Sequence, residues 1–325
     1  MATYKGIQGF TIQNLSADPS NPIEGQVWYN STSNVWKVEE ATAVGAWATG
    51  GNMGTARAYL GSAGTQTEGL AISGFTTTQV NNTEEYDGST WTAGGSVNTQ
   101  RAYIKGAGIQ TAAVAFNGYT GTADSNATEE YNGSAWTSVN PMNTARYGAG
   151  SAQSGTQTAA LAFGGANPTV TAVTEEYDGT SWTNSNNLNT ARSLLSGAGT
   201  QTAGLGFGGN PGPGGTAATE EYNGTSWTSV NSMNTARTSL AGAGIQTAAL
   251  TFGGEITAET AATEEYDGTS WATSPVSMST ARKLLGGTGT AAAGLAFGGN
   301  TPSNSAATEE WTGPGALTTK TITVS

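Results

Sequence analysis

One arginine column limits what this chain can fold into more than any other feature. Arg57, Arg101, Arg146, Arg192, Arg237 and Arg282 recur at intervals of 44, 45, 46, 45 and 45 residues. Three further columns keep step with it. Trp47, Trp91, Trp136, Trp182, Trp227 and Trp271 stand ten or eleven residues before each Arg, and Met53, Val97, Met142, Leu188, Met233 and Met278 stand four before it. Glu-Glu-Tyr closes at Tyr86, Tyr131, Tyr177, Tyr222 and Tyr266, then returns as Glu-Glu-Trp at Trp311. Columns held in register six times mean that one supersecondary unit is built six times over.

Composition alone points the other way. Leu, Ile, Val and Phe supply only 43 of 325 residues and the formal net charge is −12, a profile common in disordered chains. The repeat overrides that prior, because stacked units bury a core between neighbours. Nine Trp, eleven Tyr and 48 Gly suit short, tightly turned strands packed on large rings.

Each unit reads as four strands. The first follows the Arg and is rich in small residues, as in Ser193 to Thr200; a turn around Gln201 leads to the second. Leu70, Val114, Leu161, Leu205, Leu250 and Leu295 each precede by two residues Ile72, Phe116, Phe163, Phe207, Phe252 and Phe297. That period of two puts both side chains on one strand face. A loop then reaches Thr-Glu-Glu-Tyr, the third strand. Asp-Gly or Asn-Gly follows, a strong hairpin signal, and the fourth strand starts at the Trp. Four antiparallel strands every ~45 residues match a propeller blade. The glycines argue against helical repeats, at about 1 kcal/mol each inside a helix. The expected fold is all-β: a six-bladed β-propeller over residues 47–325, with a small amino-terminal extension over 1–46. In the simplest closure the Trp47 strand completes the Arg282 blade and leaves no open edge; the tail Thr319 to Ser325 is its rival.

An Arg, a strand, Gly-Gly ending the next strand, then Tyr-Asp and a downstream Trp resemble the kelch repeat. Departures occur at Ser73-Gly74 and Asn117-Gly118, which replace Gly-Gly, and in the sixth unit, which lacks the Asp-Gly hairpin. The resemblance implies four-stranded kelch-like blades and leaves the chemistry open. Galactose oxidase carries similar blades, but its copper site uses His and a Cys-linked Tyr, and neither His nor Cys occurs here.

Residues 1–46 do not repeat. Asn14 to Pro22 reads as a polar linker, and Gly25 to Val38 as a hairpin around Ser31 to Asn34. The phrase PIEGQVWYNSTSN is similar to a short segment of tail-fibre and appendage proteins of tailed bacteriophages. The GAGTQTAALAFGG-type repeats are similar to those of marine-phage structural proteins. The resemblance implies a virion protein assembled in the host cytoplasm, held to other virion proteins through residues 1–46. The amino terminus has no signal-peptide character, which agrees.

With no His and no Cys, imidazole and thiolate catalysis, and metal sites built on them, are excluded. No metal, cofactor or catalytic residue is expected. The eleven Lys and Arg form no basic run, against nucleic acid, and no apolar stretch is long enough for membrane insertion as a helix. The Glu-Glu pairs are periodic, whereas a glycosidase needs one unique carboxylate pair; one Glu of each is expected to bond its repeat's Arg. Asp87 to Trp91 looks like a shortened sialidase Asp box, which is a fold element. Gln66, Gln110, Gln157, Gln201 and Gln246, with Ala291 in the sixth unit, are expected to satisfy backbone groups in their turns.

The loops between second and third strands differ while the strands beside them stay fixed. They read FTTTQVNN, YTGTADSNA, ANPTVTAV, NPGPGGTAA, EITAETAA and NTPSNSAA. Strand alternation puts them on one face with the Asn-Thr-Ala-Arg connections, while the Gln turns and Asp-Gly hairpins share the other. Diversity on a rigid scaffold is what recognition needs. The candidate ligand face is Phe75, Tyr119, Asn126, Asn167, Asn210, Glu255 and Asn300. The expected function is a non-enzymatic, tail-fibre-like virion protein recognising a host-surface glycan or protein; the alternative is a free or cell-surface lectin-like adhesin. The uniform face would dock on the particle or on another copy in a homo-oligomer.

Overall fold

Alternation of apolar residues with small ones builds strands wherever the repeat predicts them. The computed structural model describes residues 13–20, 25–41, 44–212, 214–315 and 317–322. The chain divides into two compact units, Ala46–Thr312 and a second made of Met1–Gly45 with Gly313–Ser325. Among the described residues there is no helix, and hence none long and apolar enough to cross a membrane.

The first unit holds six four-stranded antiparallel sheets, one per repeat. In the fourth repeat the strands are Ser196–Thr200, Ala203–Phe207, Thr219–Tyr222 and Trp227–Val230. Tyr222 and Trp227 face each other across the Asn-Gly hairpin, with ring centroids 5.0 Å apart. The sixth sheet takes its first three strands from Gly286–Gly289, Ala293–Phe297 and Thr308–Thr312, and its fourth from Ala46–Thr49. Trp47 lies opposite Trp311, the closure expected from the register. First strands of successive repeats touch, and that of the sixth touches that of the first. The arrangement is consistent with a β-propeller.

Among the described residues seven sheets form, where the repeat count gives six. The seventh is no repeat: Gln13–Leu15, Val27–Asn30, Val35–Ala41 and Leu317–Ile322 make it. The hairpin is as expected, but the segment read as a linker begins with a strand that pairs in parallel with Val27–Asn30. Residues 21–24 and 323–325 of the segments discussed lie outside the described residues. The tail does not compete for the sixth repeat; it pairs with residues 36–41. Its alternation suits any open edge, and the hairpin offers one. The exposed Asp18 gathers three donors of this unit, accepting from Trp28 Nε1 at 3.0 Å, Asn30 Nδ2 at 2.8 Å and Lys37 Nζ at 2.5 Å. These donors draw its carboxyl down to about 2.

A second difference lies in the first repeat, where Gly69–Phe75 and Gln79–Tyr86 extend into the segment read as a loop, with a register shift between Ile72 and Gly74. Val80 and Gln79 can pair there, whereas the other loops begin to turn at the same point.

Candidate recognition face

The periodic charges are consumed inside the repeats. Each Arg pairs with the first Glu of its own Glu-Glu: Arg57 with Glu84, Arg101 with Glu129, Arg146 with Glu175, Arg192 with Glu220, Arg237 with Glu264 and Arg282 with Glu309. All six Arg are fully buried; their terminal nitrogens meet Glu or backbone oxygens, while Nε of Arg57, Arg146, Arg192, Arg237 and Arg282 finds no acceptor. Three of these Arg, Arg101, Arg237 and Arg282, also clamp a loop. Arg101 Nη1 donates to Asn117 O and Ala127 O, at the two ends of one variable loop, and Arg237 does so to Gly253 O and Ala262 O. Burial lowers the guanidinium of Arg57 and Arg101 to about 10, against the opposing pull of Glu84 and Glu129; both remain charged at neutral pH.

The second Glu of five pairs accepts from a Tyr of the next repeat. Tyr131 bonds Glu85, Tyr177 Glu130, Tyr222 Glu176, Tyr266 Glu221 and Tyr86 Glu310. Burial, then these carboxylates, pushes Tyr131 and Tyr222 up to about 12. Trp311 stands where the sixth Tyr would, so Glu265 has no such donor; burial raises its carboxyl and Ser274 partly offsets that. The Gln column acts between repeats, not within its own turn. Gln201 Nε2 donates to Ala160 O and Tyr177 O, and Gln66 to Gly294 O and Trp311 O.

What remains is the face of the variable loops. Backbone bonds tie each loop to the connection preceding an Arg, as from Met142 N to Asn126 O and Leu188 N to Ala172 O, so both share one side as strand direction predicts. Phe75, Tyr119, Asn210, Glu255 and Asn300 occupy one equivalent position, each bridging the residue after an Arg: Ala58, Ala102, Ser193, Thr238 and Lys283. In the third repeat Ala166 holds that place and Asn167 follows it. Several candidate side chains are engaged locally. Asn126 Nδ2 donates to Met142 O, Asn167 Nδ2 to Ala145 O and Asn300 Nδ2 to Asn304 Oδ1, while Asn210 Oδ1 accepts from Gly212 N. Glu255 pairs with Lys283 at 2.7 Å.

The most distinctive residues on this side were not among those candidates. Two positions past each Arg the backbone turns left-handed, at Tyr59, Tyr103, Gly148, Leu194, Ser239 and Leu284, with φ between 54° and 61°. Five of the six are not glycine, and each such residue costs roughly 1–2 kcal/mol. Cross-repeat amide bonds hold them: Tyr103 N to Tyr59 O, Tyr59 N to Leu284 O, Leu284 N to Ser239 O, Ser239 N to Leu194 O and Leu194 N to Gly148 O, at 2.7–2.9 Å. These six residues rim a narrow central cavity of about 30 Å³. Two of the six are tyrosines, and further rings continue outward from them. Tyr59 and Tyr103 lie 4.4 Å apart, Tyr103 and Tyr147 5.3 Å, and Tyr147 and Tyr119 6.3 Å, with Phe75 5.9 Å from Tyr59. Tyr59, Tyr103 and Tyr147 are all partly exposed.

The signal that could have found them is the failure of a column. Two past the Arg the repeats read Tyr, Tyr, Gly, Leu, Ser, Leu, beside columns that hardly vary. Among the described residues no cluster of His, Cys, Asp or Glu is able to hold a metal ion. No protein-family model matches the chain, and no curated protein is significantly similar to it.

Proposed function

We propose that the six repeat sheets are kelch-like blades of one closed propeller, and that the chain is a non-enzymatic recognition module of a phage virion. The closure reading is supported by six indole bonds, each crossing to the preceding repeat. Trp136, Trp182, Trp227 and Trp271 donate to Thr83, Thr128, Thr174 and Thr219, while Trp47 reaches Thr263 and Trp91 reaches Thr308. The virion setting rests on the similarity of residues 22–34 to phage appendage segments, and residues 1–46 would attach the chain to other virion proteins. Recognition rests on one observation: among the described residues the repeats differ at the central rim, where Tyr59 and Tyr103 continue into Tyr147, Tyr119 and Phe75, and in the loops that flank it. Partly exposed tyrosines offer flat apolar faces with polar edges, which suit sugar rings.

An array of bacterial surface polysaccharides should return a restricted set of ligands. The double variant Tyr103→Ala/Tyr147→Ala should weaken them at least tenfold. A silent array, or unchanged binding by that variant, overturns the glycan reading. Absence of the chain from purified particles overturns the virion one.

A further inference from the structure

The first strand of each repeat carries a small residue four positions past its Arg, with one exception. The series is Gly61, Lys105, Gly150, Ser196, Ala241 and Gly286. Lys105 lines the central cavity together with Leu and Ile residues, Gly148, Ser239, Tyr59 and Tyr103. Its ammonium meets no acceptor among the described residues; the side chain is partly exposed, and its enclosure by the cavity lowers it to about 8. Every other described cation of this unit is paired: the six Arg with their Glu, and Lys283 with Glu255 and Glu259. An unpaired ammonium held partly out of water is costly to keep, and Gly, Ser or Ala fills the same place elsewhere. The other end of the axis is closed by the protein itself. With its amide nitrogen turned inward, Gln153 donates to Gly287 O at 2.6 Å and Gly242 O at 3.0 Å, and Ser154 Oγ donates to Gly244 O at 2.8 Å. Access to Lys105 is therefore from the tyrosine rim.

We propose that Lys105 binds the carboxylate of an acidic sugar, which enters the central cavity while the sugar ring rests against Tyr59 and Tyr103. This rests on the glycan reading of the rim and deepens it. A cavity of about 30 Å³ holds about two waters; two carboxylate oxygens fit that space, whereas a sugar ring does not. A carboxylate in this narrow, partly enclosed site gains a charge-assisted bond stronger than a neutral one. The net charge of −12 rules out general electrostatic attraction as the source of affinity for an acid. The titratable groups facing Lys105 are Tyr59 and Tyr103 alone, and burial holds Tyr103 well above its usual range. The pH sign follows: Lys105 carries its charge below about 8, so acid binding is full at lower pH and fades as pH rises through that value.

The test is calorimetry on the full chain with sodium glucuronate and galacturonate, against glucose, acetate and inorganic phosphate. In parallel, the Lys105 side-chain resonance is followed by NMR. The uronates should bind at least tenfold tighter than glucose and shift the Lys105 titration upward. Lys105→Met should abolish the preference with no loss of thermal stability, since a chain of similar length replaces an unpaired ammonium; Lys105→Arg should retain part of it. Phosphate bound more tightly than uronate overturns the carboxylate assignment. A Lys105 resonance unmoved by uronate, or a Lys105→Met protein that still prefers uronate, overturns the proposal, while ligands on the polysaccharide array would leave the broader glycan reading standing.

Discussion

The outer columns and the central lining of the repeats obey opposite rules. Outside, six Trp, six Arg and their Glu make the same bonds in every repeat, with Thr, Glu and backbone carbonyls as partners. At the centre, equivalent positions hold Tyr, Gly, Leu or Ser, and in one place a lysine among small residues. Repetition uses up most of the chemistry: a recurring Arg, Glu or Trp is engaged by a recurring partner, and what it leaves over, such as the Arg Nε, is buried. Departure from repetition leaves groups over, and Tyr59, Tyr103, Tyr147 and Lys105 are those groups.

The sharpest way to break this comparison is to remove one outer anchor. Trp182 is buried between Tyr177 of its own sheet and Phe116 of the preceding one, with centroids 5.1 and 5.0 Å away. Trp182→Ala should cost about 3–5 kcal/mol, read as a fall in the midpoint of denaturant unfolding. Trp91, only half-buried, should cost less. An unchanged midpoint for Trp182→Ala would mean that the uniform columns are not the core.

A milder test uses one imperfection inside the uniform part. Gly164, Gly208, Gly253 and Gly298 are left-handed, and Asn117 takes their place in the second repeat with φ 54°. It is fully buried, and neither its amide oxygen nor its nitrogen has a partner. Asn117→Gly removes a strained backbone and an unsatisfied amide at the expense of some chain entropy. The net should be a gain of about 1–2 kcal/mol. Loss of stability would mean that the Asn117 side chain packs usefully.

Much of this was legible in the residues, and the boundary is physical. Period and register gave the four strands, the Arg–Glu pairs and the Trp47 closure, because each depends on local alternation or on a partner that recurs. The seventh sheet was hidden, since a parallel pairing of Gln13–Leu15 and an edge taken by Leu317–Ile322 leave no periodic trace. The Gln column was placed in its own turn because spacing carries no information about which neighbour a side chain reaches. Tyr59, Tyr103 and Lys105 were passed over as members of a strand of small residues. Only the ring of left-handed backbones brings them together at one cavity.

The smallest expected effect asks whether a missing outer bond can be restored. Five repeats carry a Gln that donates two bonds to the preceding sheet, as Gln246 does to Gly204 O at 3.0 Å and Tyr222 O at 2.7 Å. The sixth has Ala291, so Ala249 O and Tyr266 O, the carbonyls equivalent to those two, lack this donor. The turns match closely: Gly199 and Gly289, two residues before Gln201 and Ala291, have φ of 92° and 100°. Ala291→Gln should therefore place its amide between the fifth and sixth sheets and stabilise the fold by about 0.5–1 kcal/mol, the usual net worth of such bonds less the entropy of fixing the side chain. Thermal unfolding reads the gain, and the reverse change Gln201→Ala should lose at least as much, because it also leaves two carbonyls without their donor. If Ala291→Gln gains nothing while Gln201→Ala loses stability, the sixth repeat differs by design of its Trp311 indole, which already donates to Ala291 O at 3.0 Å and fixes the turn in its own way.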